Sequence, residues 1–267
     1  MLAAALLMSV LPAAAPADAP QAPPLAIRTH EGPDGTTYQH ILVRPREVKA
    51  GETYPLIVFL HGAGERGDDP TVLLKHFFPA LLSDEYRERF PCYILAPQCP
   101  KEQRWGSRDY KSGEDDGKLR APLAAAMTMV DAAIEEFPID ENRLYLTGLS
   151  MGGYGTWDWT IRNPGKFAAA APICGGGKPD QAEALKDLPL WVVHGDEDSA
   201  VPVERSREMV AAVSAAGGFP IYVEYPGVPH DSWTAAYGTP DGLIGWLFRQ
   251  NREGGNAKTQ ASKNQTR

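Results

Sequence analysis

The hydrophobic pattern changes period several times along this chain. Leu56-Ile57-Val58-Phe59-Leu60 is apolar without a break, which suits a strand covered on both faces. Cys92–Ala96 repeats the pattern. Lys118–Phe137 instead carries apolar residues at Leu119, Leu123, Met127, Val130 and Ile134, the spacing of a helix. Further strands are predicted over Leu144–Thr147, Phe167–Ile173, Leu190–His194 and Ile221–Tyr225. Helices are predicted over Thr71–Leu82, Tyr154–Arg162, Val203–Ala216 and Asp241–Arg249. Ahead of these, Leu25–Thr29 and Thr36–Arg44 flank the turn Glu31-Gly32-Pro33-Asp34-Gly35, the pattern of an antiparallel hairpin. Strand–helix alternation from Leu56 onward predicts an α/β fold: a mostly parallel sheet behind that hairpin, with helices on both faces. No repeat or Pro/Gly linker divides residues 18–250, which read as one domain.

The two ends differ from this core. Residues 1–17 are apolar and uncharged, and Ala15-Pro16-Ala17 supplies a small–x–small cleavage pattern. They read as an export signal, although no Lys or Arg precedes the apolar run. That run is too short to span a bilayer, so no stable membrane insertion is expected. Residues 251–267 are polar and aperiodic and read as a disordered tail. A net charge of −8 and a pI near 5.3 argue against nucleic acid as partner, since binding phosphate backbones needs a basic face. Cys92, Cys99 and Cys174 form neither a zinc spacing nor an even disulfide framework; they read as buried thiols.

The chemistry concentrates around Gly148-Leu149-Ser150-Met151-Gly152, which sits between a predicted strand and a predicted helix. A serine on so tight a turn stands clear of the sheet edge, and its neighbours two positions away must be small. Its hydroxyl becomes nucleophilic only beside a base that a third group orients. An acid follows the predicted strand Leu190–His194, in Gly195-Asp196-Glu197-Asp198, and His230 follows Ile221–Tyr225. Both therefore lie at the carboxyl edge of a parallel sheet, beside Ser150. Asp198 is preferred to Asp196 because its loop gives it reach, while Asp196 suits a turn-bracing role. His30, His40 and His76 all precede Ser150. His61 and His194 each end a strand before a Gly and read as loop braces, and no pair of histidines has metal-ligand spacing. The backbone N–H of Met151 and that of Ala63, with Gly64 next, are the expected donors to a developing oxyanion. The Gly62–Gly67 loop also fits G-x-G-x-x-G. Asp68 and Asp69, however, would repel a pyrophosphate, and no helix follows at once to hold one.

Taken together, Leu60-His61-Gly62-Ala63-Gly64-Glu65-Arg66-Gly67, Gly148-Leu149-Ser150-Met151-Gly152-Gly153, His194-Gly195-Asp196-Glu197-Asp198 and Pro229-His230 resemble one family. It is the minimal secreted bacterial α/β-hydrolases of the carboxylesterase, feruloyl-esterase and polyhydroxybutyrate-depolymerase-like group, often named peptidases by analogy with prolyl oligopeptidase catalytic domains. The resemblance runs from about Leu25 to Arg249. It implies an α/β-hydrolase fold, Ser150, Asp198 and His230 as the catalytic residues, no cofactor, and a serine ester hydrolase, with an oligopeptidase-type activity as alternative. Only Gly175–Pro189 separates two predicted strands where a lid could be inserted, so no large cap and an open site are expected. That suits short-acyl or aromatic esters of a bulky or polysaccharide partner. The long loop Gln98–Lys118 contains Trp105 and Tyr110, and long structureless loops are often functional. Trp105, together with Trp233 beside His230, is expected to line an aromatic or sugar-binding surface; Trp157 and Trp159 read as core.

Overall fold

Tyr54, Leu56, Val58 and Leu60 face one core, and Ile57 and Phe59 face another. Side chains on a strand alternate between faces, so an unbroken apolar run can exist only where both faces are covered. The computed structural model shows that arrangement and describes residues 24–108, 112 and 114–252. The expected leader at 1–17, residues 253–267 of the expected tail, and Tyr110 lie outside the described residues.

Eight strands form one sheet: β1 (Leu25–Glu31), β2 (Thr37–Val43), β3 (Tyr54–Leu60), β4 (Tyr93–Pro97), β5 (Ile139–Leu149), β6 (Ala169–Ile173), β7 (Trp191–Gly195) and β8 (Ile221–Tyr225). Their spatial order is β1-β2-β4-β3-β5-β6-β7-β8. β1 and β2 form the expected antiparallel hairpin, β2 pairs antiparallel with β4, and β3 through β8 run parallel. The helices are α1 (Phe78–Leu81), α2 (Asp84–Arg89), α3 (Ala121–Glu136), α4 (Met151–Arg162), α5 (Glu204–Ala215), α6 (Trp233–Tyr237) and α7 (Leu243–Leu247). Leu123 of α3, Trp157 of α4 and Met209 of α5 pack with Leu56 and Val58. Phe78 of α1, Tyr86 of α2, Tyr237 of α6 and Ile244 of α7 pack on the opposite face with Ile57 and Phe59. At roughly 1.5–3 kcal/mol for each large side chain fully buried, these two cores hold the sheet.

Several predicted helices are shorter than their hydrophobic period. The helix predicted over Thr71–Leu82 splits into a 3-10 turn, Pro70–Leu74, and α1. Pro79 has no N–H to give a preceding turn, so it opens a helix and cannot continue one. Pro122 likewise sets the start of α3, which leaves Leu119 exposed ahead of it. Among the described residues no helix is long and apolar enough to cross a membrane.

Because β3, β5, β7 and β8 are parallel, the loops after their carboxyl ends share one rim. Those loops carry Gly62–Glu65, Ser150, Asp198 and His230. The connection from β6 to β7 holds only the 3-10 turn Pro179–Leu185.

Candidate active site

Ser150 is the junction between β5 and α4, with φ 54° and ψ −118°. A side chain at such positive φ costs about 1–3 kcal/mol, so the surroundings must enforce it. They do so through backbone crowding. A Cβ on Gly152 would meet the Leu60 carbonyl oxygen at 1.9 Å, and one on Gly148 would meet the Gly152 oxygen at 2.5 Å. Small residues are obligatory on both sides, and the turn presents the Ser150 side chain at the rim.

His230 arrives from β8, on a loop stitched to the one after β7. Gly227 N–H donates to Asp196 Oδ1 at 2.7 Å, so Asp196 braces the turn. Glu197 N–H donates to the Val228 carbonyl at 3.1 Å, and a Cβ on Gly195 would strike that same oxygen at 2.2 Å. The two loops are thereby in contact, and they bring Asp198 and His230 together. His230 Nδ1 lies 2.7 Å from Asp198 Oδ2, and His230 Nε2 lies 3.0 Å from Ser150 Oγ. The carboxylate only accepts, so Nδ1 carries the proton and Nε2 offers its lone pair to the Ser150 hydroxyl.

Asp198 is held by more than His230. Its Oδ1 accepts from the N–H groups of Ala200 and Val201, each at 2.8 Å. Burial alone would raise this carboxyl, but hydrogen bonds from His194, His230 and Val201 outweigh it and hold the group well below the usual carboxylate range. The side chain is an anion wherever the fold exists near neutral pH.

Met151 is the first residue of α4 and Ala63 the first of the 3-10 turn Ala63–Glu65. The opening N–H groups of a helix have no acceptor within it, so both are free to meet an incoming oxygen. The Ala63 loop is fixed from behind. His61 Nδ1 donates to the Gly62 carbonyl at 2.6 Å, and its Nε2 accepts from Cys99 N–H at 2.9 Å. Burial pushes the His61 imidazole down to about 4, which keeps it neutral in this bracing role.

A cleft of about 320 Å³ opens over Ser150 and His230. Ala63, Leu149, Val201 and Trp233 supply its apolar walls, with Gly64, Glu65 and His76 also bordering it. A larger void of about 490 Å³ lies near Pro164, Leu188 and Arg252. It sits beside the amino ends of β6 and β7, away from Ser150, and is no rival for this chemistry.

Trp105 departs from expectation. It is fully buried, it donates through its indole N–H to the His61 carbonyl at 3.0 Å, and Gly155 leaves the room it packs into. It braces the Ala63 loop and forms no binding surface. Its loop is tied inward as well: Ser107 Oγ donates to Asp158 at 3.1 Å, Arg162 to the Gly117 carbonyl at 2.8 Å, and Lys178 pairs with Asp115 at 3.0 Å. Trp233 borders the cleft edge-on to the His230 ring, centroids 5.2 Å apart. Trp157 and Trp159 are core, and all three cysteines are buried and free. Cys174 lies beneath the cluster, with a ligand atom within 4.8 Å of those of Asp198 and His230. Burial pushes its thiol up, so it stands there as a neutral thiol.

The sequence pattern missed two features of the site: the contact of His194 with Asp198, and the pairing of Glu65 with His76 at the cleft. Glu65 carried a signal, as the one acid inside the loop that supplies Ala63. His76 carried none, because its neighbourhood depends on how the segment before α1 folds.

No family model matches the chain. It is 39% identical to a solved thermostable esterase, with a TM-score of 0.78, over 85% of this chain and 63% of that one. The uncharacterized peptidase YuxL of Bacillus subtilis is 26% identical over 236 residues, 74% of this chain and 34% of that protein. A poly(3-hydroxyoctanoate) depolymerase of Pseudomonas fluorescens is 31% identical over 126 residues, 41% of this chain and 42% of that protein. The chain thus spans less than half the length of these curated relatives and under two thirds of the solved esterase. The fold is that of the α/β-hydrolases, and the sequence is similar to the solved esterase and, over a shorter stretch, to the depolymerase.

Proposed function

We propose that the protein is a serine carboxylic-ester hydrolase in which Ser150 is the nucleophile, His230 the base and Asp198 its orienting acid. The observation that carries this reading is the unbroken hydrogen-bonded line from Ser150 Oγ through both His230 nitrogens to Asp198, at 3.0 and 2.7 Å. His230 takes the Ser150 proton as Oγ attacks the ester carbonyl, then passes it to the departing alcohol. Water, activated by the same imidazole, releases the acid from the acyl-enzyme. Asp198 fixes the His230 tautomer and stabilises the imidazolium. The N–H groups of Met151 and Ala63 meet the oxyanion, each such donor contributing roughly 3–4 kcal/mol.

The open cleft and the short β6–β7 connection support short-acyl or aromatic esters on a bulky or polysaccharide partner. Trp233, Leu149 and Val201 offer apolar walls of about that size. The apolar leader at 1–17 supports action outside the cytoplasm, and sequencing the amino terminus of the exported protein tests it. Similarity to the Bacillus subtilis peptidase favours one second reading, cleavage of amides by the same residues. The test is turnover of 4-nitrophenyl acetate and butyrate against matched 4-nitroanilides. Ester turnover lost in Ser150→Ala supports the esterase; faster cleavage of the anilides would make it a peptidase.

A further inference from the structure

The cleft contains a charged group that the proposed reaction does not use. Glu65 is 7% exposed, and its Oε1 lies 3.3 Å from His76 Nε2. Among the described residues its carboxylate has no other partner. Around the point where a Gly62 Cβ would stand, Leu149 Cδ1 lies at 2.8 Å, Glu65 Oε2 at 3.0 Å and Ser150 Cβ at 3.7 Å, so the three groups pack closely about Gly62. Glu65 and Ser150 both border the same cleft. With one partner, the carboxylate keeps acceptor capacity toward the cleft that it borders, where a substrate donor can meet it.

We propose that Glu65, steadied by His76, is a recognition point for a hydroxyl group that the substrate carries beside its scissile ester; this deepens the esterase reading and rests on it. The Gly62 carbonyl already takes hydrogen bonds from His61 and from Glu65 N–H, the Ala63 carbonyl from Arg66, and the Glu65 carbonyl from Gln98. The Glu65 carboxylate keeps the most acceptor capacity of these groups, and a single hydroxyl hydrogen is met in full by it. The remaining wall at Leu149, Val201 and Trp233 is apolar and suits the carbon skeleton of such a substrate. Trp233 also fixes the geometry: the His76 ring packs edge-on against it at 5.3 Å and the His230 ring at 5.2 Å. The Glu65–His76 pair is thereby held at a set distance from the reacting centre.

The hydroxyl can belong to the acyl or to the alcohol side, and two matched pairs separate these. The first is 4-nitrophenyl 3-hydroxybutyrate against 4-nitrophenyl butyrate. The second is 2-hydroxyethyl butyrate against propyl butyrate, followed by acid release. The wild-type protein is expected to favour the hydroxylated member of one pair by roughly tenfold or more in kcat/KM, the range of a hydrogen bond to a charged group. Glu65→Ala and His76→Ala should each bring that ratio toward one, and His76, partly exposed, serves where Glu65→Ala does not fold. Equal kcat/KM within both pairs in the wild type, or variants that slow both members alike and keep the ratio, would overturn the proposal while leaving the esterase reading intact. No turnover of any of these esters would overturn both.

Discussion

His194 Nε2 lies 3.2 Å from Asp198 Oδ2, so a second, fully buried imidazole shares the oxygen that holds His230. The Val201 carbonyl is 3.0 Å from the same nitrogen. With acceptors on both sides, Nε2 carries the proton and donates. On its other side His194 Nδ1 lies 2.8 Å from Ser206 Oγ, which therefore donates to it, and the Gly175 carbonyl lies 3.0 Å from the same oxygen. Asp198 is thereby anchored to the ends of β6 and β7 as well as to its own loop.

His194→Ala should therefore lower kcat on 4-nitrophenyl butyrate by about tenfold or more while changing KM little, since it loosens Asp198 without touching substrate. A rise in KM at constant kcat would assign His194 to the cleft instead.

Asp198 gives a signature in pH. Its carboxyl is held below the ordinary range by its hydrogen bonds, so ionised Asp198 stabilises the fold above its unfolded pKa, near about 4. That contribution is lost as pH falls through the lower folded value. The difference in Tm between wild type and Asp198→Asn should be full at about pH 6 and should narrow steadily once pH is taken below about 4. Activity of the Asn variant should fall by about 10³–10⁴ in kcat, because Asn favours the wrong His230 tautomer.

The elbow admits no side chain at residue 152, where a Cβ would sit 1.9 Å from the Leu60 oxygen. Backbone, not a flexible side chain, stands in the way. Gly152→Ala should abolish ester turnover and lower Tm by several degrees, as expected for a loss of more than about 2 kcal/mol in a chain of this size. An active variant with wild-type Tm would mean that the turn is looser than described.

The thiols supply an independent check on burial. Cys92 and Cys99 are pushed up to about 12 by desolvation, and Cys174 is raised further. The native protein should leave all three unreactive toward a disulfide reagent at pH 8, while the unfolded protein should release three equivalents. Rapid reaction of any one in the native state would contradict its placement.

Much of this arrangement is legible from residue pattern alone. Apolar runs such as Leu56–Leu60 reveal strands covered on both faces, and chain order after each strand points to the rim shared by Ser150, Asp198 and His230. Spacing of period 3.6 is a weaker guide where proline intervenes: the helix expected over Thr71–Leu82 is interrupted between Leu74 and Phe78, ahead of Pro79, and α3 begins only at Ala121. Trp105 was misread for a different reason. An aromatic residue in a polar loop carries no local mark of burial, and only the gap left by Gly155 and the free carbonyl of His61 draw it inward. The partners of Glu65 and His194 were hidden in the same way, since each depends on side chains brought together by the folded sheet.

The proposed nucleophile can be identified directly. Incubation with a fluorophosphonate, digestion and mass analysis should place one adduct on the peptide that contains Ser150, with labelling slowed by at least about 10³ in His230→Ala. An adduct on another residue, or none from a preparation that hydrolyses 4-nitrophenyl butyrate, would contradict the account.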